Sequence, residues 1–162
     1  MLLNGFNHVA IILTKDTQRF VDFYRDVFGA EVDGFQDMGG EGRLTFVRVG
    51  EQAEINLFEL NGSTEPERQT PMFGRGRIDH LGLQADSLEA FETIRQRLID
   101  RGAADEFVTD FGPILSLFFV DPDGLEGEVA AYAAAPPPTT APARARATRD
   151  FRSRDVSLIH LL

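Results

Sequence analysis

Two stretches of the chain run through the same order of apolar and polar positions. From Phe6 an apolar segment, FNHVAIIL, carries one histidine in third place, and a polar break at Asp16 and Thr17 follows. Phe20, Phe23, Tyr24 and Val27 then recur at helical spacing, and Gly29 closes the stretch. From Ile78 the order returns: IDHLGLQ, a break at Asp86 and Ser87, Leu88, Phe91, Ile94 and Leu98 at helical spacing, and then Gly102. The breaks supply side chains that cap helix N-termini, and the glycines suit the left-handed turn that ends a helix. Behind each helix stand three strand-like runs, 31–36, 43–49 and 53–60, then 104–109, 114–120 and 125–132. Turn formers separate them, most clearly at Asp121–Gly124. Each half therefore reads βαβββ, which predicts an α+β fold. The divisions are a first module at 1–60, a linker at 61–76, a second module at 77–132 and a tail at 133–162. A period this long indicates a duplicated unit, not a solenoid.

The repeat makes a sharper statement about chemistry. His8 and His80 stand 72 positions apart, and the same step relates Asn56 to Glu128. Because side chains alternate across a strand, Ala10 and Ile12 share a face with His8, and Gly82 and Gln84 with His80. Glu54 and Phe58 go with Asn56, and Glu126 and Ala130 with Glu128. Val9, Ile11, Leu13, Leu81 and Leu83 form the opposite, apolar face, expected beneath the helices. The inner face thus gathers two imidazoles, several carboxylates and a carboxamide. Polar groups buried without partners cost roughly 2–7 kcal/mol each. A core histidine bonded to backbone accounts for one such residue. Two histidines and a glutamate coinciding through an internal symmetry point to a divalent metal ion held by His8, His80 and Glu128. Asn56 is a fourth ligand, a hydrogen-bonding neighbour of the ligands, or only a polar residue at the cavity edge. Two imidazoles and a carboxylate suit Zn, Ni, Co, Mn or Fe(II), with coordination positions left open for a substrate. Glu126 and Glu54 are the candidate proton-transfer groups.

Composition narrows the classes. The absence of cysteine excludes disulfides, zinc–thiolate centres and thiol nucleophiles. With 14 Phe and no Trp, phenylalanine must fill much of the interior, and Phe46, Phe58 and Phe118 are candidate walls of a substrate cavity. No apolar run has the length of a membrane span, and the opening MLLNGFNHVAIILT lacks a basic leader region, so a cytoplasmic location is expected. The net charge of −10 comprises about +3 on residues 136–162 and −13 on the remainder, which argues against nucleic acid as partner. From Ala133 the chain turns to AAAPPPTTAPARARATR, a composition that packs no core and is expected to be disordered. Removing it is expected to leave metal binding intact.

The segments NHVAIIL (7–13), FVDFYRDVFGAEV (20–32), IDHLGLQADSLEAF (78–91) and FFVDPDGLEGEV (118–129) resemble the vicinal oxygen chelate superfamily. That superfamily comprises glyoxalases, extradiol dioxygenases, methylmalonyl-CoA epimerases and bleomycin-resistance proteins. The resemblance covers residues 4–132. It implies paired βαβββ modules in an open, cup-shaped mixed sheet around one metal ion, with His8, His80 and Glu128 as ligands. Asn56 falls where glyoxalases and epimerases usually carry Glu or Gln. Phe118 falls where ring-cleaving dioxygenases carry Tyr, and residues 109–111 offer no histidine. The reading favoured is a metal-dependent lyase, isomerase or epimerase of the glyoxalase type acting on a small oxygenated molecule. The alternatives are an Fe(II) dioxygenase and a non-catalytic binder of an antibiotic-like molecule. A homodimer is expected, because exposed sheet edges invite a partner and twofold dimers are the commonest closed assembly.

Overall fold

The computed structural model describes residues 6–13, 16–64 and 70–133. The tail expectation therefore lies, beyond Ala133, outside the described residues. The first half contains β1 (His8–Leu13), α1 (Thr17–Phe28), β2 (Glu31–Asp37), a short 3-10 turn (Gly39–Glu41), β3 (Gly42–Arg48) and β4 (Glu54–Leu60). The second contains β5 (Leu81–Gln84), α2 (Leu88–Asp100), β6 (Thr109–Asp110), β7 (Ile114–Val120) and β8 (Glu126–Tyr132). The fold is α+β, and each half is one βαβββ unit with its own four-stranded mixed sheet. Strand order is β1-β4-β3-β2 in the first and β5-β8-β7-β6 in the second.

The helices begin and end where their caps dictate. Asp16 accepts the Arg19 amide at 3.3 Å, and Ser87 accepts the Ala90 amide at 3.1 Å. Gly29 ends α1 at φ 72°, a conformation that suits a residue without Cβ. Glu59 of β4 adds a second tie to α1, accepting the Thr17 amide at 3.1 Å and its hydroxyl, and these bonds hold the carboxyl below its ordinary pKa. The strand expected at 104–109 is reduced to Thr109–Asp110. Asp105 turns back to accept the Phe107 amide, and Arg95 reaches the Glu106 carbonyl, so this stretch is bent.

The internal symmetry is visible in the register. Ala10 pairs with Asn56 and Gly82 with Glu128; Phe46 pairs with Asn56 and Phe118 with Glu128. Each of these four pairs maps onto its counterpart by the 72-residue step. One face of each sheet is covered. Leu13, Val47, Ile55 and Leu57 are buried in the first, and Leu117, Phe119, Val129 and Ala131 in the second. These belong to one core with Phe20, Phe23, Tyr24 and Val27 of α1 and Phe91 and Leu98 of α2. The halves meet through rings: Phe119 of β7 lies 5.2 Å from Phe28 and 6.3 Å from Phe23, centroid to centroid. Gly127 permits this, since a Cβ there would stand 2.5 Å from Phe119 Cζ. The other face of each sheet stays open: Ala10, Ile12, Gly82 and Gln84 are exposed, and Leu44, Phe46, Asn56, Phe58, Phe118 and Glu128 half-buried.

Candidate metal centre on the open face of the second sheet

His80 is placed by the start of β5, one residue before its first ladder pair, and Glu128 by β8. Their side chains meet, with His80 Nε2 3.1 Å from Glu128 Oε2. Two donors each about 2.1 Å from one ion and about 90° apart lie about 3.0 Å from each other, so this spacing fits two ligands of one metal. The other glutamate oxygen accepts the Ser116 hydroxyl at 2.5 Å. Ser116 is fully buried on β7, directly across from Ala130. The other imidazole nitrogen, Nδ1, lies 2.9 Å from Asp79 Oδ2. That bond holds the Asp79 carboxyl below its usual range against a smaller desolvation effect. Phe118 meets the His80 ring edge-on at 6.0 Å.

Both ring nitrogens of His80 thus face carboxylate oxygens. A neutral imidazole has one N–H and one lone pair, while an ionised carboxylate only accepts. One of the two contacts is therefore acceptor against acceptor unless a positive particle stands between them. A divalent ion fits that place, because it binds lone pairs from both sides.

The first sheet carries the other half of the expected set, elsewhere. His8 is exposed, and its Nδ1 lies 2.7 Å from Asn7 Oδ1. Glu54 and Asn56 lie on the same face as His8, by the pairings His8–Glu54 and Ala10–Asn56. The Asn56 side-chain oxygen is buried and finds no hydrogen-bonding partner among the described residues. Phe58, paired with Leu44, and Phe46, paired with Asn56, lie on this same face. A single chain nevertheless does not unite the two halves. Among the described residues no three of His, Asp and Glu converge as a metal-binding group. Two cavities, of about 550 and about 490 Å³, lie between the halves, and neither is lined by His8, His80 or Glu128.

Glu126 is already engaged. Its carboxylate accepts Arg75 Nη2 at 3.1 Å and the Met72 amide at 2.5 Å. Arg75 also donates to the backbone oxygens of Thr70, Asp79 and Glu126. It thereby stitches the inter-module segment to the strand that carries Glu128. Sequence reasoning missed Asp79, Ser116 and Arg75. Ser116 was within reach, since alternation along β7 puts it on the face of Phe118.

A family model for the Glyoxalase/Bleomycin resistance protein/Dioxygenase superfamily matches residues 5–129. The chain belongs to that superfamily. Solved structures share the fold. One is a glyoxylase/bleomycin resistance protein/dioxygenase domain from Frankia sp., 21% identical, TM-score 0.66, over 82% of this chain and 95% of that one. Another is a variant of the fosfomycin resistance protein FosX from Listeria monocytogenes, complexed with Mn(II) and 1S,2S-dihydroxypropylphosphonic acid. It is 19% identical, with TM-score 0.62 over 82% and 95% of the two chains. A lactoylglutathione lyase from Agrobacterium tumefaciens is 21% identical, with TM-score 0.56 over 81% and 96%. The superfamily thus spans several activities, and fold alone does not choose among them. No helix among the described residues is long and apolar enough to cross a membrane.

Proposed function

We propose that the protein is a divalent-metal-dependent lyase, isomerase or epimerase of the glyoxalase type, acting on a small oxygenated molecule at sites shared between two copies of the chain. The observation that carries this reading is the facing of His80 Nε2 and Glu128 Oε2 at 3.1 Å, with Asp79 on the other ring nitrogen. His80 and Glu128 of one copy would hold the ion, and His8 of a second copy would complete the triad. Asn56, entering with that His8, brings the buried carbonyl oxygen that has no partner among the described residues. Twofold symmetry makes such an interface self-complementary, so that each dimer has two equal sites. Pairing also covers the half-open apolar residues Phe46, Phe58 and Phe118, which would then wall a cavity.

Bound there, the metal supplies a Lewis acid that polarises a substrate oxygen and acidifies the neighbouring C–H. The chain's own residues divide the remaining work. Glu54 makes no ion pair or side-chain hydrogen bond among the described residues and lies beside His8, so it is the group proposed to move the proton. Glu126 is committed to Arg75 and serves as an anchor. Ser116 orients Glu128. Phe118 offers neither a proton nor a hydrogen bond, which disfavours ring cleavage with oxygen.

Mixing two inactive variants tests the shared site. His8→Ala and His80→Ala homodimers each lack a ligand in both sites. A heterodimer has one site without either histidine and one intact site. After random exchange, half the dimers are mixed, so about a quarter of all sites regain metal binding. Recovery of none, with wild type binding normally, overturns the shared arrangement. For the chemistry, metal-loaded protein is expected to exchange solvent deuterium into 2-oxo or 2-hydroxy compounds. Catechol-dependent oxygen uptake under Fe(II) would replace this reading with a dioxygenase. Tight binding of an unaltered ligand, with neither activity, would replace it with a binding protein.

A further inference from the structure

The residue before each histidine makes the same contact. Asn7 Oδ1 lies 2.7 Å from His8 Nδ1, and Asp79 Oδ2 lies 2.9 Å from His80 Nδ1. Asn7 and Asp79 are related by the same 72-residue step as the histidines. Both stand before the first ladder pair of their strands, where neighbouring side chains are not yet driven to opposite faces. We propose that Asn7 and Asp79 are positioning residues that hold His8 and His80 in the Nδ1–H tautomer, leaving each Nε2 lone pair free for an ion. The last clause rests on the metal reading above; the tautomers do not.

Donor chemistry dictates the direction. A carboxamide oxygen and an ionised carboxylate only accept, so the ring atom facing each must carry the hydrogen. At His80 two acceptors compete, because Glu128 faces Nε2. Glu128 is the weaker claimant, since its contact is longer, 3.1 Å against 2.9 Å, and its other oxygen already takes the Ser116 hydroxyl. Asp79 is also held from behind. Its Oδ1 accepts the Phe73 amide, and its backbone oxygen accepts Arg75 Nη1 at 3.1 Å. The Arg75 side chain is only 10% exposed. Residues 70–79 are thus a brace for the His80 ring as well as a connection between modules. The two modules differ in one respect: Asn7 is neutral and Asp79 charged. An anionic partner on Nδ1 makes the opposite nitrogen the stronger donor to a metal, so His80 is the dominant imidazole of the pair.

Two-bond proton–nitrogen correlation spectra of 15N-histidine protein, stripped of metal and held at about pH 9 to keep the rings neutral, read the tautomers directly. Both His8 and His80 are expected as Nδ1–H. Asp79→Ala should turn His80 alone to Nε2–H, and Asn7→Ala should turn His8 alone. Asp79→Asn should leave His80 divided between the two tautomers, since a neutral carboxamide competes less well with the Glu128 carboxylate on Nε2 than Asp79 does. Zinc titration then gives a second readout: roughly 10–100-fold weaker binding for Asp79→Ala, and an intermediate loss for Asp79→Asn. His80 found as Nε2–H in the wild type, or unchanged by Asp79→Ala, overturns the proposal. The expected tautomers in a protein that binds no metal would remove the metal centre and leave the tautomer assignment standing.

Discussion

Asp121→Asn is expected to stabilise the protein, and by more as the pH rises. Asp121 opens the turn between β7 and β8 and is 5% exposed. Its Oδ1 accepts the amides of Asp123 and Leu125 at 2.8 and 2.9 Å, but Oδ2 has no partner among the described residues. Burial is the main cause that pushes this carboxyl up from its ordinary 3.8 to about 6, against the lowering effect of the amides. It also contributes, after burial itself, to raising the Tyr24 hydroxyl. A folded-state value above the unfolded one means that the native protein binds this proton more tightly. Stability is then complete below the unfolded value, falls as pH rises towards 6, and stays lower beyond. Two pKa units amount to about 3 kcal/mol. Asparagine keeps the acceptor for both amides and does not titrate. Its advantage should therefore be small at about pH 4 and grow to about 3 kcal/mol at about pH 7, or roughly 6–12 °C in Tm for a chain of this size. Urea unfolding of both proteins across that pH range measures it. A difference independent of pH would refute the argument, because desolvation of the charged form would not be its source.

Other expectations follow from single contacts. Gly127→Ala drives a methyl into the Phe119 ring and should cost about 1–3 kcal/mol in urea unfolding. Ser116→Ala frees one Glu128 oxygen and should weaken zinc binding about tenfold by calorimetry, with the mass in light scattering unchanged from wild type. Zinc at 100 times its Kd should stabilise the wild type by about 2.7 kcal/mol per site, reversed by chelator. Ending the chain at Ala135 should leave Tm and zinc affinity nearly unchanged, since the removed composition buries little apolar area. A fall of several degrees would show that its apolar end docks.

What could be read from the residues alone was whatever depends on neighbours along the chain. Caps and glycines located both helices, and the 72-residue repeat, with alternation along each strand, grouped His8 with Asn56 and Glu54, and His80 with Glu128. The stretch at 104–109 misled because its polar Asp105 and Glu106 bend the chain by side-chain and backbone bonds that a periodicity does not register. The 61–76 segment looked like a passive connector. Arg75 acquires its role only because β8 returns beside it, 51 positions later. The duplication also left open how the two halves pack. The same alternation is compatible with inner faces turned towards each other or away, and ring packing at Phe23, Phe28 and Phe119 decides between them.

The separation of the two ladders bears on how the chain folds. No strand pairing joins the halves among the described residues, and the most distant pairings, such as His8 with Glu54 and Gly82 with Glu128, close loops of 46 residues. Loop-closure entropy grows with length, and long-range pairing slows folding. Here each sheet completes its pairing within its own half, and rings and arginines bridge the halves. Arg97 reaches the Val27 carbonyl, Arg101 reaches Asp26, and Arg19 reaches the Pro122 carbonyl. Pairing inside each half closes shorter loops than contact across the seam, so substitutions at this seam should speed unfolding more than they slow folding.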